Sequence, residues 1–392
     1  MFKSMRNMVL KALDYRTNQP VCMEIKNGFI SSVTACQQKI NSGLYIAPGL
    51  VDLQINGYQG IDFNKRGTNI YDIKKITQIL FEKGITSYYP TVISNSDKAT
   101  ESLLTIIALA CETFPEINAC IGGIHLEGPF ISPEDGPRGA HGKQFIKAPD
   151  WELFSRWQEA AGGRIRIVTL SPEWPESYNF IKRCVNSGIT VSIGHTAASP
   201  EQIKRAIKAG ATMSTHLGNA SHAMLPRHLN YIWEQLASEN LWSTIIADGF
   251  HLPDSVLKVF IKTKPDKSIL VSDATSFAGL PAGSYSGHIG GDVELDATGR
   301  LFMKYNPNLL AGSAQSLLWC VNQLLQKNIL PLPEAWDMAS VKPTESLYGS
   351  VTNSLQAGNP ADIVIFKKNK NNIEIIKTIK SGEVVFSGLD KN

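Results

Sequence analysis

No stretch of this 392-residue chain approaches the ~18 consecutive apolar residues that a membrane-spanning helix requires. The opening MFKSMRNMVLKALDYRTN carries basic residues but neither an uninterrupted apolar segment nor a small-residue cleavage site. No membrane partner and no secretory leader are therefore expected, and the cytoplasm is the expected compartment. A charge excess is missing too: 38 Lys and Arg oppose 35 Asp and Glu, and the basic residues are scattered rather than interleaved with aromatics. No nucleic-acid partner is expected. The longest basic run, FKKNKNN at 366–372, reads as a solvated hairpin tip. Six cysteines (Cys22, Cys36, Cys111, Cys120, Cys184, Cys320) lie far apart with no CxxC pair, which indicates neither a zinc ribbon nor a disulfide scaffold. They are expected to be reduced thiols. Polar low-complexity tracts are absent as well, and 43% apolar against 19% charged residues is the balance of a chain able to bury a large core.

What is present is an alternation. From about residue 49, short apolar runs alternate eight times with stretches of helical period, which is the signature of a (β/α)8 TIM barrel. The expected strands are GLVDLQIN (49–56), SYYPTVI (87–93), CIGGIHLEG (120–128), RIRIVTLSPE (164–173), TVSIGHT (190–196), TMSTHLGN (212–219), STIIADG (243–249) and SILVSDAT (268–275). Amphipathic stretches such as 70–84 and 199–210 lie between them, each ending at a glycine suited to a C-cap. The two ends follow a different period. Residues 1–48 and 349–392 alternate as short strands and turns, and are expected to pair into a small β-sandwich domain beside an α/β barrel spanning 49–348.

Active sites of such barrels are built at the carboxyl ends of the strands, and that is where the polar residues fall. Gln54 and Asn56 end the first strand, His125 and Glu127 the third, His195 the fifth and His216 the sixth. Asp248 ends the seventh with His251 close behind, and Asp273 ends the eighth. A lone histidine or aspartate there is commonly a core residue or a helix cap. A carboxylate and two histidines from strands three, five and six, however, would converge on the barrel axis as three ligands of a catalytic divalent metal. Glu127 and His125 compete for the carboxylate's place, because residues two apart on a strand face the same side. Asp273, opposite the metal, is the candidate general base toward a metal-activated water. His141, in the Gly- and Pro-rich loop PFISPEDGPRGAHG, is either a plain loop histidine or an oxyanion contact.

The ordered motifs HLEGPFISP, GAH, SIGHT, THLxNA, IADGFHL, SDAT, LAGSA and AGNPADIVIF resemble the amidohydrolase superfamily and, within it, the N-acetylglucosamine-6-phosphate deacetylase family. Many amidohydrolases carry His-x-His at the end of strand one, where this chain has Gln54-x-Asn56. The resemblance is thus to the branch that works with one metal ion, and it implies Glu127, His195 and His216 as ligands, choosing Glu127 over His125. Zinc is the expected ion, with Fe, Co and Mn as alternatives, and Gln54 would contact a water on it. The resemblance also implies Asp273 as base and then acid, and His141 as the residue that polarises the acetamide carbonyl. Ala140, His141, Asn219, Ala220, Arg227, His251, Leu310, Ala311 and Gly312 would contact the substrate, with Arg227 reaching the phosphate from the neighbouring subunit of a homodimer. The partner expected is a small amino sugar, N-acetylglucosamine 6-phosphate, cleaved to glucosamine 6-phosphate and acetate. The family pattern fails at one place: THLFNAM followed by GREPG becomes THLGNAS followed by LPRHLNYIW, with Gly218 for the aromatic and Ser221 for the methionine. An unphosphorylated or epimeric N-acetyl hexosamine, or another N-acyl compound, is therefore the alternative substrate. His222 and His228 have no family role and read as loop histidines. A barrel that senses sugars without catalysis is the reading from another class, and the complete ligand set with Asp273 weighs against it.

Overall fold

Eight parallel strands wind once around a common axis: Leu50–Ile55, Ile85–Ile93, Ile124–Glu127, Ile165–Leu170, Thr190–Ile193, Met213–Ser214, Trp242–Ile245 and Ser268–Leu270, each hydrogen-bonded to the next. The computed structural model describes residues 7–36, 43–287 and 291–388. Residues 1–6, 37–42 and 389–392 of the expected terminal β segments lie outside the described residues. A bridge between Ile55 and Ala274 and the Asp273 N–H to Gln54 carbonyl bond, 2.9 Å, join the eighth strand to the first and close the barrel. Strands covered on both faces must be apolar throughout, which is why LVDLQI is buried at every position and its polar members need partners. Val51, Leu53, Tyr89, Ile167, Met213, Ile246, Ile269 and Val271 pack as a separate cluster on the strands.

The helices start and stop where local chemistry directs. Asn69 and Asp72 form a capping box for Ile70–Phe81, and Ser199 and Gln202 form another for Pro200–Ala209. The second helix ends at Gly210 in the left-handed region, φ 112°, as the glycine in the sequence implied.

Both chain ends supply one seven-stranded sheet, in the order Glu383–Ser387, Asn372–Lys380, Ile363–Asn369, Leu44–Pro48, Met8–Asp14, Pro20–Lys26, Phe29–Ala35. Leu44–Pro48 is the seam, pairing antiparallel with the C-terminal strand 363–369 and parallel with the N-terminal strand 8–14. The basic run 366–372 closes the 363–369/372–380 hairpin, with its lysines exposed at the tip. Trp336 pins this sheet to the barrel. It is fully buried, stacks on Phe366 at 4.8 Å and donates its indole N–H to the Pro48 carbonyl at 2.9 Å.

Two features depart from expectation. Cys22 and Cys36, expected to be thiols, are joined as a disulfide, while Cys111, Cys120, Cys184 and Cys320 are free and buried. The register of Pro20–Lys26 against Phe29–Ala35 brings the two Cα atoms to 5.2 Å, a proximity that a separation of 14 residues does not disclose. A four-stranded antiparallel sheet, Gly283–Gly287, Gly291–Leu295, Leu301–Met303 and Asn306–Leu310, follows the eighth barrel strand. Its strands are short and half-exposed, so their alternation was too brief to register; Val293, Leu295, Leu301 and Met303 pack with Phe277 under it.

Replacing Trp336 by Ala removes both the stacked ring and the hydrogen bond that join sheet to barrel. The expected cost is about 3–5 kcal/mol of stability, read as a lower unfolding midpoint by calorimetry or denaturant titration.

Candidate metal centre and active site

At the carboxyl end of the barrel, three side chains from three strands meet. Glu127 Oε1 lies 3.1 Å from His195 Nε2 and 3.1 Å from His216 Nε2, and the two ring nitrogens are 3.0 Å apart. All three residues are buried. The chain reaches this convergence by bending sharply at the strand ends: His195, His216 and Asp273 have φ of 49°, 30° and 46°, in the left-handed region that only glycine enters freely. Each such residue costs roughly 1–3 kcal/mol and persists because its surroundings over-determine it. Here the His216 N–H donates to Thr244 Oγ1 at 2.7 Å, the His195 carbonyl accepts from Ser132 N–H at 2.8 Å, and the Asp273 N–H is tied to Gln54.

The donor set fits a divalent cation. The His195 Nδ1 faces the Pro137 carbonyl at 2.9 Å, an acceptor only, so Nδ1 carries the proton and Nε2 presents a lone pair. That lone pair points at a carboxylate oxygen, which is also an acceptor. Two buried acceptors held 3.1 Å apart need a positive charge between them. His216 Nε2 adds a third donor atom, and the Nδ1 of that ring is buried with no hydrogen-bond partner.

His125 is engaged elsewhere. Its Nδ1 lies 3.1 Å from the Leu53 carbonyl and its Nε2 2.7 Å from Thr169 Oγ1, leaving no lone pair for an ion. Thr169 shares a hydrogen bond with Thr215, 2.6 Å, and Thr215 another with Ser192, 2.5 Å, so a polar layer on strands three to six underlies the centre. Burial pushes the His125 ring down to about 4.

The first strand supplies two amides. Gln54 Nε2 donates to Glu127 Oε1 at 2.9 Å, and Asn56 Nδ2 donates to Asp273 Oδ1 at 2.7 Å. Each amide oxygen is buried without a partner. Burial, and then the charge of Glu127, push the Asp273 carboxyl up to about 7. Asp273 is thus a carboxylate whose affinity for a proton is raised, as a general base and acid near neutral pH requires.

The loop after strand three brings His141 to the same place. Its ring meets that of His195 edge to face at 4.5 Å, and its Nδ1 lies 2.8 Å from Ser94 Oγ. Glu127, His141 and His195 each offer an atom within 4.8 Å of the others. Burial, and then His195, push the His141 ring down to about 3, so it is neutral. Ala140 next to it is exposed.

Of the remaining residues singled out in the sequence, Asn219 is half-buried, with its Nδ2 donating to the His216 carbonyl at 3.1 Å, and Ala220 has φ 46°. His251 Nδ1 lies 2.7 Å from Asp248 Oδ2, and the Phe250 and His251 N–H groups donate to Asp248 Oδ1. Despite burial, the bond to His251 holds the Asp248 carboxyl low. Leu310 to Gly312 run beside strand eight through the Thr275 N–H to Ser313 carbonyl bond, and Gly312, φ 96°, comes so close that a Cβ there would sit 2.6 Å from Thr275 Cγ2. Arg227 is exposed, apart from these groups, on the loop before helix Tyr231–Ala237.

In the divergent stretch, Gly218 has φ 89° and a Cβ there would meet Phe260 and Leu252 at 3.0 and 3.1 Å. The ring of Phe260, on helix Asp254–Thr263, fills the space beside Gly218. His222 bridges two loops, with Nε2 3.0 Å from Glu134 Oε2 and Nδ1 3.1 Å from Tyr231 Oη. Nothing in the sequence marks Ser94, Pro137 or Thr169 as part of the site. Ser94 follows the second strand directly, so the strand-end rule reached it; a serine among threonines and asparagines carried no distinguishing mark.

The amidohydrolase family model matches residues 45–385. The N-acetylglucosamine-6-phosphate deacetylase of Bos taurus is 30% identical over 364 residues, covering 90% of this chain and 86% of the relative. That of Bacillus subtilis (strain 168) is 32% identical over 349 residues, covering 87% and 84%. The solved N-acetylglucosamine-6-phosphate deacetylase from Thermotoga maritima matches with a TM-score of 0.84 at 26% identity, covering 97% of this chain and 100% of that one. A Mycobacterium smegmatis deacetylase in complex with N-acetyl-D-glucosamine-6-phosphate matches equally in fold, TM-score 0.84, at 24% identity and with 97% and 100% coverage.

Elemental analysis separates ligands from supporting residues. Glu127→Gln and His216→Asn are expected to lose most of the bound divalent metal, whereas His125→Asn keeps its stoichiometry and pays instead in thermal stability; metal loss on replacing His125 would refute the ligand set.

Proposed function

The chain belongs to the amidohydrolase family, and from that membership we propose that it hydrolyses the N-acetyl amide of N-acetylglucosamine 6-phosphate to glucosamine 6-phosphate and acetate. The observation that carries the reading is the convergence of Glu127, His195 and His216 within 3.1 Å at the carboxyl end of the barrel, where the half-buried Asp273 is held by the Asn56 amide. The substrate follows from the relatives that match at 30% and 32% identity over most of the chain.

Glu127, His195 and His216 hold one divalent ion, and zinc suits two imidazoles with a carboxylate. When bound, the ion supplies a Lewis acid that polarises the acyl oxygen and acidifies water. Asp273 accepts the proton of the attacking water at its carboxylate, steadied by the Asn56 amide. It then delivers that proton to the amide nitrogen as the C–N bond breaks, so that the amine leaves neutral and the acyl group departs as acetic acid, which gives its remaining proton to solvent and becomes acetate. His141 faces the acyl oxygen as negative charge gathers there. Gln54 keeps Glu127 aligned and stands where a water could meet it.

Ala140, Asn219, Ala220 and the turn Leu310, Ala311 and Gly312 line the sugar side of the site. His251, its Nδ1 held by Asp248, keeps Nε2 for the substrate. The phosphate is met by Arg227 of the partner subunit in a homodimer. The exposed apolar side chains of Met224, Leu229 and Trp233 around Arg227 support a subunit contact there. The barrel domain spans 49–348 and the β domain 1–48 with 349–392. A sugar phosphate carries a charge that a bilayer core rejects, so an enzyme acting on it works in the cytoplasm. Among the described residues no helix is long and apolar enough to cross a membrane.

Two measurements test the reading. Asp273→Asn is expected to abolish turnover, by about two to four orders of magnitude, with metal content intact; turnover near the parent rate would sink the mechanism. The kcat/KM for N-acetylglucosamine is expected to fall steeply when its 6-phosphate is removed, and Arg227→Ala to erase most of that preference. Equal rates on both sugars would instead favour an unphosphorylated N-acetyl hexosamine.

A further inference from the structure

Two buried histidines meet edge to face at the centre, and geometry alone offers both as ligands, since Glu127, His141 and His195 present atoms within 4.8 Å of one another. Their second nitrogens distinguish them. His195 Nδ1 meets a carbonyl, which cannot donate. His141 Nδ1 meets the Ser94 hydroxyl, which can.

We infer that Ser94 is a positioning residue that donates its hydroxyl proton to His141 Nδ1, so that the ring keeps its own proton on Nε2 and acts as a hydrogen-bond donor to the acyl oxygen rather than as a fourth metal ligand. The inference rests on the deacetylase reading for the identity of that oxygen.

The direction of the bond follows from what surrounds Ser94. Its hydroxyl is buried directly after strand Ile85–Ile93, 2.8 Å from His141 Nδ1. Among the described residues, no other hydrogen bond to Ser94 Oγ accompanies it. A buried hydroxyl proton needs an acceptor, and leaving it without one costs about 1–3 kcal/mol. If Nδ1 carried the ring proton, the Ser94 oxygen would accept it and the hydroxyl proton would be left without an acceptor. With Nδ1 as acceptor, both groups are satisfied and the neutral ring holds its one proton on Nε2.

The site is shaped around this contact. Gly128, φ 79°, lies so close that a Cβ on it would sit 2.3 Å from Ser94 Oγ and 3.6 Å from His141 Nδ1. The glycine of HLEGPF therefore leaves room for the hydroxyl that orients His141. The other end of the ring is fixed through its loop, since Arg138 Nη1 donates to the His141 carbonyl at 2.6 Å. His195 and His141 thus offer opposite faces to the same space: a lone pair that suits a cation, and an N–H that suits developing negative charge.

Nitrogen NMR of histidine-labelled protein, with His141 assigned through His141→Asn, reads the tautomer directly in metal-free or metal-loaded enzyme. The expected pattern is a pyrrole-type Nε2 and a pyridine-type Nδ1 in the parent, and a mixed tautomer in Ser94→Ala. Kinetically, Ser94→Ala is expected to lower kcat about 10–100-fold with KM and metal content nearly unchanged. It should add no further loss when combined with His141→Asn, because it acts through that ring. A pyridine-type Nε2 on His141 in the parent overturns the inference, as does a Ser94→Ala variant at parent kcat or a loss fully additive with His141→Asn. A parent protein that hydrolyses no acetamide would defeat the deacetylase reading instead, and the tautomer pattern would still decide the role of Ser94.

Discussion

Everything at the carboxyl face of the barrel depends on one unfavourable juxtaposition: a carboxylate oxygen and an imidazole lone pair held 3.1 Å apart in a buried cavity. Neither group can satisfy the other, and burial weakens the screening that solvent would give them. A divalent cation would resolve the conflict, and the surrounding groups are placed as that resolution requires. Pro137 fixes the tautomer of His195 from the far side of the ring, Gln54 holds the carboxylate from the first strand, and the left-handed backbone at His195 and His216 turns both rings inward.

Barrel closure makes this arrangement stiff. The eighth strand returns to the first through Asp273 N–H and Gln54 carbonyl, so Asp273 and an amide that contacts Glu127 belong to one hydrogen-bonded seam. Asn56, two residues along that strand, reaches Asp273 itself. Below them, His125, Thr169, Thr215 and Ser192 satisfy one another across strands three to six. Such a layer forgoes some apolar packing, yet every partner it supplies fixes a rotamer directly beneath the reacting groups.

The stretch THLGNASHAMLPRH shows where legibility ends. His216 was readable because a histidine at the end of a barrel strand points to the axis wherever the barrel occurs. Gly218 was readable only as a departure; that Phe260 packs beside it is a fact about a helix about 40 residues away. His222 read as a plain loop histidine, and its bridge between Glu134 and Tyr231 joins loops that sequence separation hides. The Cys22–Cys36 pairing and the four-stranded sheet after strand eight escaped for the same kind of reason, since register and short half-exposed strands leave little periodic trace.

By itself, then, the sequence determined the eightfold alternation, the two ends that share a sheet, and the polar residues at the strand ends, because periodicity and strand direction are local properties repeated along the chain. It also placed Glu127 and His125 on the same face without choosing between them on spacing alone. The tertiary structure decided what each polar group meets: His125 a carbonyl and a threonine, His195 a carbonyl, His141 a serine hydroxyl 47 residues earlier. Those meetings set which nitrogen carries a proton and which a lone pair. Hydrogen-bond partners are pairwise facts between distant residues, so the chemistry of identical side chains diverges only once the chain has folded.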